Sequence, residues 1–250
     1  MVTSAFPNSL DKIGGGIEAV TACVVEGLLA ARPDVDIHVI RPVGENDERA
    51  EADSFPNYTV HDVPFRRGAL AELPGMGPSR RVHEVLDALA PDVVHVQASP
   101  TMLDGRRYPS VLTVHGISER DTLFADHGLK RLRSWALRRQ LNPARCRFAH
   151  IIAPVGYVRQ QLEPYCQSHF HFISNPVEAA CFDYSRTESG PVAFFAGRFR
   201  PLKNIHGLIE AFGILARQGV DAKLHLAGPR RKDAYSARID ELIARQDYIA

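Results

Sequence analysis

Short runs rich in Val and Ile alternate with helical patterns along almost the whole chain. That alternation constrains the fold more than any other feature. The candidate strands are MVTSAF, VDIHVIRP, YTVHDV, DVVHVQ, SVLTVHG, HIIAP, HFHFIS, VAFFAG and KLHLAG. Most are closed by Gly, Pro or a polar residue, as strand ends are. Apolar residues at helical spacing occupy 17–31, 79–89, 129–141, 155–165, 205–218 and 235–245. Strands joined through helices pair in parallel, because each crossover returns the chain to the same edge, and the sheet is then covered on both faces. Crossovers of fixed hand make such units doubly wound α/β domains.

One segment breaks the rhythm. ISNPVEAACFDYSRTESGP is polar, weakly periodic, and holds Asn175-Pro176 and Gly190-Pro191. It reads as a link between two domains, 1–175 and 176–250. The second holds only two candidate strands and two candidate helices, too little for an independent parallel sheet. The expectation is an incomplete second domain. The first strand also has almost no lead-in before its turn.

With 250 residues and an apolar fraction of 45%, the chain has ample material for packed cores. Its formal net charge of +1 argues against nucleic acid as a partner, since phosphate-backbone binders concentrate basic charge. Cys23, Cys146, Cys166 and Cys181 lie far apart with no Cys-x-x-Cys, which reads as reduced thiols in a cytoplasmic protein. No apolar run reaches membrane-spanning length, and no basic-then-apolar leader opens the chain.

Three places could carry chemistry. In DKIGGGIEAV, Gly14, Gly15 and Gly16 follow the first strand and open a helix. Bare backbone N–H groups at a helix N-terminus suit a phosphate or a sugar hydroxyl; the same residues also read as a flexible turn. The spacing is not Gly-x-Gly-x-x-Gly, which discounts a nicotinamide or flavin. In SVLTVHG, His115 closes an apolar strand at the end where ligands of parallel sheets collect, or simply bonds a neighbouring carbonyl there. His95 has a similar but weaker placement, inside its strand; His169 and His171 share a strand face without carboxylate or cysteine companions and read as structural, not a metal site. In AFFAGRFRPLKN, Arg198 and Lys203 stand just past a core strand and against a helix start. They read either as a diphosphate clamp facing a cleft between domains or as solvated surface cations.

A fourth segment, 127–147, is strongly basic: Lys130, Arg131, Arg133, Arg138, Arg139, Arg145 and Arg147. The expectation is a helix whose apolar stripe, Leu129, Leu132 and Ala136 extended by Leu137 and Leu141, lies on the sheet, with a solvated basic face. The alternative is peripheral contact with an anionic membrane, on the inner face if the protein is cytoplasmic.

Together these motifs, with PDVVHVQ, HIIAPVGYVRQQL, ISNPVEAACF, LIEAFGIL and AKLHLAGP in order, resemble the family 4 glycosyltransferases over nearly the whole length. The resemblance implies two facing Rossmann-like domains (GT-B), the first on the acceptor side and the second on the donor side. It implies a nucleotide-diphosphate sugar as donor, retention of anomeric configuration, no metal and no resident cofactor. By match, Arg198 and Lys203 would hold the diphosphate. Gly15 and Gly16 would lie near the donor phosphates and the acceptor. His115 would sit beside the transferred sugar, and Gly228 would belong to the nucleotide-side cleft. The acceptor, whether a sugar, a lipid-linked group or a small molecule, is not implied.

Two departures stand out. The family's Glu, seven residues, Glu motif does not arrive before the chain ends at RQDYIA, and Pro176 stands where glycine is common. The expectation is therefore a truncated enzyme. An alternative is a non-catalytic sugar- or nucleotide-binding module or partner subunit; a third reading is a sugar-nucleotide epimerase.

Overall fold

The computed structural model describes residues 1–44, 47, 55–65, 79–124, 128–185 and 190–246. Residues 186–189 of the expected linker, residue 127 of the basic segment and the final 247–250 lie outside the described residues. The chain divides into two compact units. One comprises Met1–Glu119 and Trp135–Phe182; the other comprises Arg120–Ser134 and Asp183–Ala250.

The first unit is built on one parallel sheet. Its strands are β1 (Val2–Thr3), β2 (His38–Gly44), β3 (Thr59–Phe65), β4 (Val94–Gln97), β5 (Ser110–Thr113), β6 (His150–Ile152) and β7 (His169–His171). Their order is β3-β2-β1-β4-β5-β6-β7, every neighbour parallel. The helices are α1 (Gly16–Ala31), α2 (Ser79–Leu89), α3 (Ser118–Asp121), α4 (Lys130–Arg145) and α5 (Gly156–Leu162). The division between the units passes through α3 and α4.

Successive strand residues face opposite sides, and the two sides have separate cores. On β2, Val39 joins Phe6, Val25 of α1, Phe55 and Tyr58. Its neighbour Ile40 joins Val2, Val96, Leu112 and Ile151 with Val82 and Leu86 of α2 and Val158 and Leu162 of α5. Helices cover both faces, so central strands can be continuously apolar. Each fully buried Leu or Ile there stabilises the unit by about 1.5–3 kcal/mol relative to exposure.

The second unit carries β8 (Val192–Ala196) and β9 (Lys223–Ala227), parallel in register, with α6 (Ile205–Arg217) and α7 (Ala234–Ile243). Phe199, Ile205, Ile209, Phe212, Leu224, Tyr235 and Ile239 form its core. Phe195 packs on that core, while Phe194, one residue back on the other strand face, is exposed. The fold class is the expected α/β one, with a seven-stranded parallel sheet and a smaller second unit.

Two expectations are corrected. The cysteines are not all thiols: Cys146 and Cys166 are joined by a disulfide, with Cα atoms 4.8 Å apart, and only Cys23 and Cys181 are free. The helices explain it. The Cys146 N–H still bonds the Asn142 carbonyl at the end of α4, and the Cys166 N–H bonds the Leu162 carbonyl at the end of α5. Two helix ends beside the same sheet edge bring together residues that no local spacing would pair.

The basic helix is also turned differently. Of the expected stripe, Leu137 and Leu141 face inward, with Ala144 and Arg145, whereas Leu129, Leu132 and Ala136 are exposed. The helix runs through Pro143, which is exposed, so the carbonyl left without an N–H partner is on the wet side.

Candidate functional site

In the first unit, strand order reverses between β1 and β4: the chain goes from β1 outward to β2 and β3, then back to the other side of β1. Such a reversal opens a crevice at the carboxyl ends of the strands. The glycine loop leaves β1 at that point, and Gln97 closes β4 opposite Thr3 of β1. Nearby, the hydroxyls of Ser4 and Ser99 are hydrogen-bonded across the two strands at 3.0 Å.

Gly15 is the N-cap of α1 with an extended backbone and no capping side chain. The Gly14 N–H donates to Glu18 Oε2 at 2.7 Å, so the third helical residue reaches back to brace the loop. Gly15 is half-buried and Gly16 exposed. The first-turn N–H groups have no intrahelical acceptor by their position. The carboxylate of Glu18 sits at this positive helix end, where the helix dipole favours it.

His115 lies two residues past β5. Its Nε2 is 2.6 Å from Oε1 of Gln97, which is 1% exposed. An amide oxygen only accepts, so Nε2 carries the proton and the tautomer is fixed. Burial lowers the pKa of His115 below the ordinary imidazole value, and a hydrogen bond with the Asn175 side chain works against that. The ring is therefore neutral near pH 7, a hydrogen-bonding group for a sugar hydroxyl.

Between Gln97 and Ser99, Ala98 has φ +68°, and the Ser99 N–H bonds the Gln97 carbonyl at 2.9 Å. This three-residue turn is rare for a residue with a Cβ and aims the β4 end toward the crevice. Sequence reading missed Gln97, Ala98 and Asn175 as parts of this site. The only signal in the sequence was PDVVHVQ closing a buried strand on an amide.

The loops are held by buried ion pairs. Arg41 on β2 binds both oxygens of its register partner Asp62 at 2.8 and 3.0 Å, and its Nη1 donates to the Phe6 carbonyl and to Asn8 Oδ1 in the β1–α1 loop. Glu119, just after the His115 loop, takes a bidentate pair from Arg145 at 2.7 and 3.1 Å. His95, inside β4, bonds Thr113 Oγ1 at 2.7 Å, and burial pushes its pKa down to about 4. It is a core histidine. His150, His169 and His171 stack along the sheet edge. Among the described residues, no group of three or more His, Cys, Asp or Glu is placed to hold a metal ion.

In the second unit, strand alternation continues past β8. Phe199 is fully buried, which turns Arg198 outward and leaves Arg200 half-buried. The Arg200 Nε is buried without a hydrogen-bond partner. Burial, with Arg231 and Arg198 nearby, lowers its pKa below the usual guanidinium value. Three guanidinium groups thus gather at the carboxyl ends of β8 and β9. Lys203 is exposed on the 3-10 turn Pro201–Lys203, and Asn204 follows in the left-handed region at φ +51°. The Ile205 N–H bonds the hydroxyl of Tyr235, anchoring that turn to α7.

Beyond β9, an open groove of about 580 Å³ is lined by Arg230, Arg231, Lys232, Asp233, Ser236 and Asp240, among others. Gly228 has φ +145°, and a Cβ there would lie 1.9 Å from the Gly197 carbonyl oxygen. Its glycine identity follows from that backbone contact. Arg200 and Arg231 are further cations the sequence reading did not single out, because the motif it followed ends at Lys203.

The family model for Glycosyltransferase Family 4 matches residues 14–180, well over half of the chain. The chain belongs to that family. A second model, Glycosyl transferases group 1, matches residues 178–248. No curated protein matches the chain. Among solved structures, this Family 4 chain is similar to sucrose-phosphate synthase from Thermosynechococcus elongatus, with a TM-score of 0.67 at 16% identity over 100% of this chain and 68% of that one. It is also similar to the E. coli trehalose-6-phosphate protein bound with UDP-2-fluoro glucose, at TM-score 0.58, 11% identity, and coverage of 98% and 68%. At such identities the likeness shows the fold, which is GT-B. The family makes the chain a glycosyltransferase.

Proposed function

We propose that this Family 4 glycosyltransferase takes its sugar from a nucleotide-diphosphate donor and transfers it with retention of configuration to an acceptor of unassigned identity. The observation that carries the reading is the gathering of Arg198, Arg200 and Arg231 at the carboxyl ends of β8 and β9, with Lys203 on the next turn. Guanidinium forks at the ends of neighbouring strands match the oxygens of two phosphates, which they can bind bidentately.

In this reading Arg198 and Lys203 hold the diphosphate, and Gly228 shapes the nucleotide side. The division 1–175 and 176–250 separates acceptor-side from donor-side residues. Gly15 and Gly16 serve the acceptor and the donor phosphates; His115, neutral and fixed by Gln97, bonds a hydroxyl of the transferred sugar. The bond from the anomeric carbon to the phosphate oxygen breaks as the acceptor oxygen bonds the same carbon on the same face. The acceptor proton passes to the departing phosphate, whose charge the cations stabilise. Guanidinium and ammonium groups supply the charge a metal would, so metal independence belongs to the same reading, with the donor as co-substrate and no resident cofactor.

Calorimetry with a panel of nucleoside diphosphates tests it. Arg198→Ala and Lys203→Ala should each lose about 1.5–3 kcal/mol of affinity for the preferred nucleotide. Unchanged affinity in both variants ends the donor assignment.

A further inference from the structure

Among the described ion pairs, Arg145 with Glu119 is the most deeply buried, the two side chains being 3% and 6% exposed. Glu119 lies four residues past His115, and Ile117 between them is a core residue. His115 is thus held by Gln97 on one side and by a chain pinned at Ile117 and Glu119 on the other. Arg145 is the last residue of α4. Its Nη1 also donates to Asn142 Oδ1 at 3.1 Å, and the Asn142 carbonyl accepts from the Cys146 N–H. Pro143 contributes no N–H to this last turn, which leaves the turn one backbone bond short. Cys146 follows at once and is bridged to the buried Cys166, just beyond α5, whose Val158 and Leu162 are core residues. The bridge therefore gives a weakened turn a covalent tie to a packed helix. All of these residues belong to the first unit.

We propose that Arg145 is a positioning residue for His115 and that the Cys146–Cys166 bridge makes this positioning redox-dependent. With the bridge closed, the last turn of α4 keeps the Arg145 fork on Glu119, and the His115 loop is in place. Opening the bridge releases that turn. A buried carboxylate follows its cation, because either charge left unpaired away from water is costly. The opening step is thiol–disulfide exchange with a dithiol reductant. One thiolate of the reductant attacks Sγ of Cys146, the less buried cysteine; the S–S electron pair leaves on Cys166 Sγ, which takes a proton. The second thiolate displaces Cys146 Sγ, which is protonated in turn, and the reductant ends as a cyclic disulfide. The bridge has then gained two electrons and the dithiol has lost them. The consequence for sugar transfer rests on the role proposed for His115; the consequence for the imidazole itself does not.

Imidazole NMR of the full chain with isotope-labelled histidine tests the proposal, His115 being assigned by its absence in His115→Gln. Spectra are taken before and after dithiothreitol, with mass spectrometry to show that the bridge is open. The expected result is a shift of the His115 ring nitrogens on reduction, while His83, bonded to Tyr108, and His206, bonded to Tyr235, stay in place. Cys146→Ser with Cys166→Ser should give the reduced spectrum without reductant. Arg145→Lys keeps the charge and loses the fork. It should move His115 in the oxidised protein and remove most of the further response to reductant, since both changes act through one contact. Nucleotide release from a sugar-nucleotide donor, followed in parallel, should slow about 3- to 10-fold on reduction, the worth of one hydrogen bond. A His115 shift with unchanged release supports the positioning role and removes His115 from the sugar. His115 resonances that an opened bridge leaves unmoved, in the parent or in the double serine variant, overturn the proposal. A shift shared by His83 also overturns it, because it reports unfolding of the unit and not release of one turn.

Discussion

Gln97 and His115 join the ends of two neighbouring parallel strands, Oε1 of one accepting from Nε2 of the other at 2.6 Å. The bond fixes which imidazole nitrogen is left for other partners. Gln97→Leu keeps the buried volume close to native and deletes the acceptor. Transferase turnover should fall about 3- to 10-fold, the worth of one neutral hydrogen bond. Gln97→Glu restores an acceptor and adds a charge that raises the pKa of His115. NMR titration of the imidazole should show that rise; a His115 titration unmoved in Gln97→Glu would show that the two side chains do not interact in solution.

The strands and most helices were legible because they rest on local signals: period-two runs, glycine turns, helical spacing. The glycine loop, His115 and the Arg198-to-Lys203 stretch were singled out through the family resemblance; local signals alone left each open to an ordinary structural reading. What escaped was non-local. Gln97 gains meaning only when β5 lies beside β4, and Arg231 only when the loops after β8 and β9 end together. The orientation of α4 escaped for another reason. Its sequence carries two apolar stripes, one through Leu129, Leu132 and Ala136 and one through Leu137, Leu141 and Ala144, and periodicity cannot say which one the sheet takes.

His95 makes the first unit sensitive to acid. Its folded pKa is about 4, below the ordinary value of 6.5, because burial disfavours the imidazolium. The unfolded chain therefore binds the extra proton between those two values. Stability is full above pH 6.5 and falls as pH drops toward 4, by up to about 3 kcal/mol. Urea unfolding at pH 7 and pH 4.5 should show the loss, and His95→Gln should remove most of the difference. An equal loss in both proteins would assign the effect to other groups.

Gly228 tests the backbone contact between the ends of β8 and β9. A methyl group there would fall 1.9 Å from the Gly197 carbonyl oxygen, and the backbone already lies at φ +145°. Both effects point the same way, and neither neighbour is a flexible side chain that can yield. Gly228→Ala should destabilise the second unit by more than about 4 kcal/mol, at the severe end for single substitutions. Gly16→Ala, where nothing lies within 4 Å, is the matched control. Limited proteolysis should cut the 190–246 region in the first variant and spare it in the second.

The disulfide between Cys146 and Cys166 closes a loop across β6 and α5, with a sequence separation of 20. Closing a loop of that length removes unfolded-state freedom worth about 3 kcal/mol. The bond also ties the end of α4 to the end of α5, beside the outermost strands of the sheet. Reduction should therefore lower the melting temperature of the chain by several degrees, about 2–4 °C per kcal/mol at this size. Cys146→Ser with Cys166→Ser should reproduce the loss and make the protein indifferent to reductant. Cys23→Ser and Cys181→Ser, at the free thiols, should leave the effect of reductant intact. A melting temperature that reductant does not move, with mass spectrometry showing two alkylatable thiols becoming four, would mean the bridge forms without stabilising the fold.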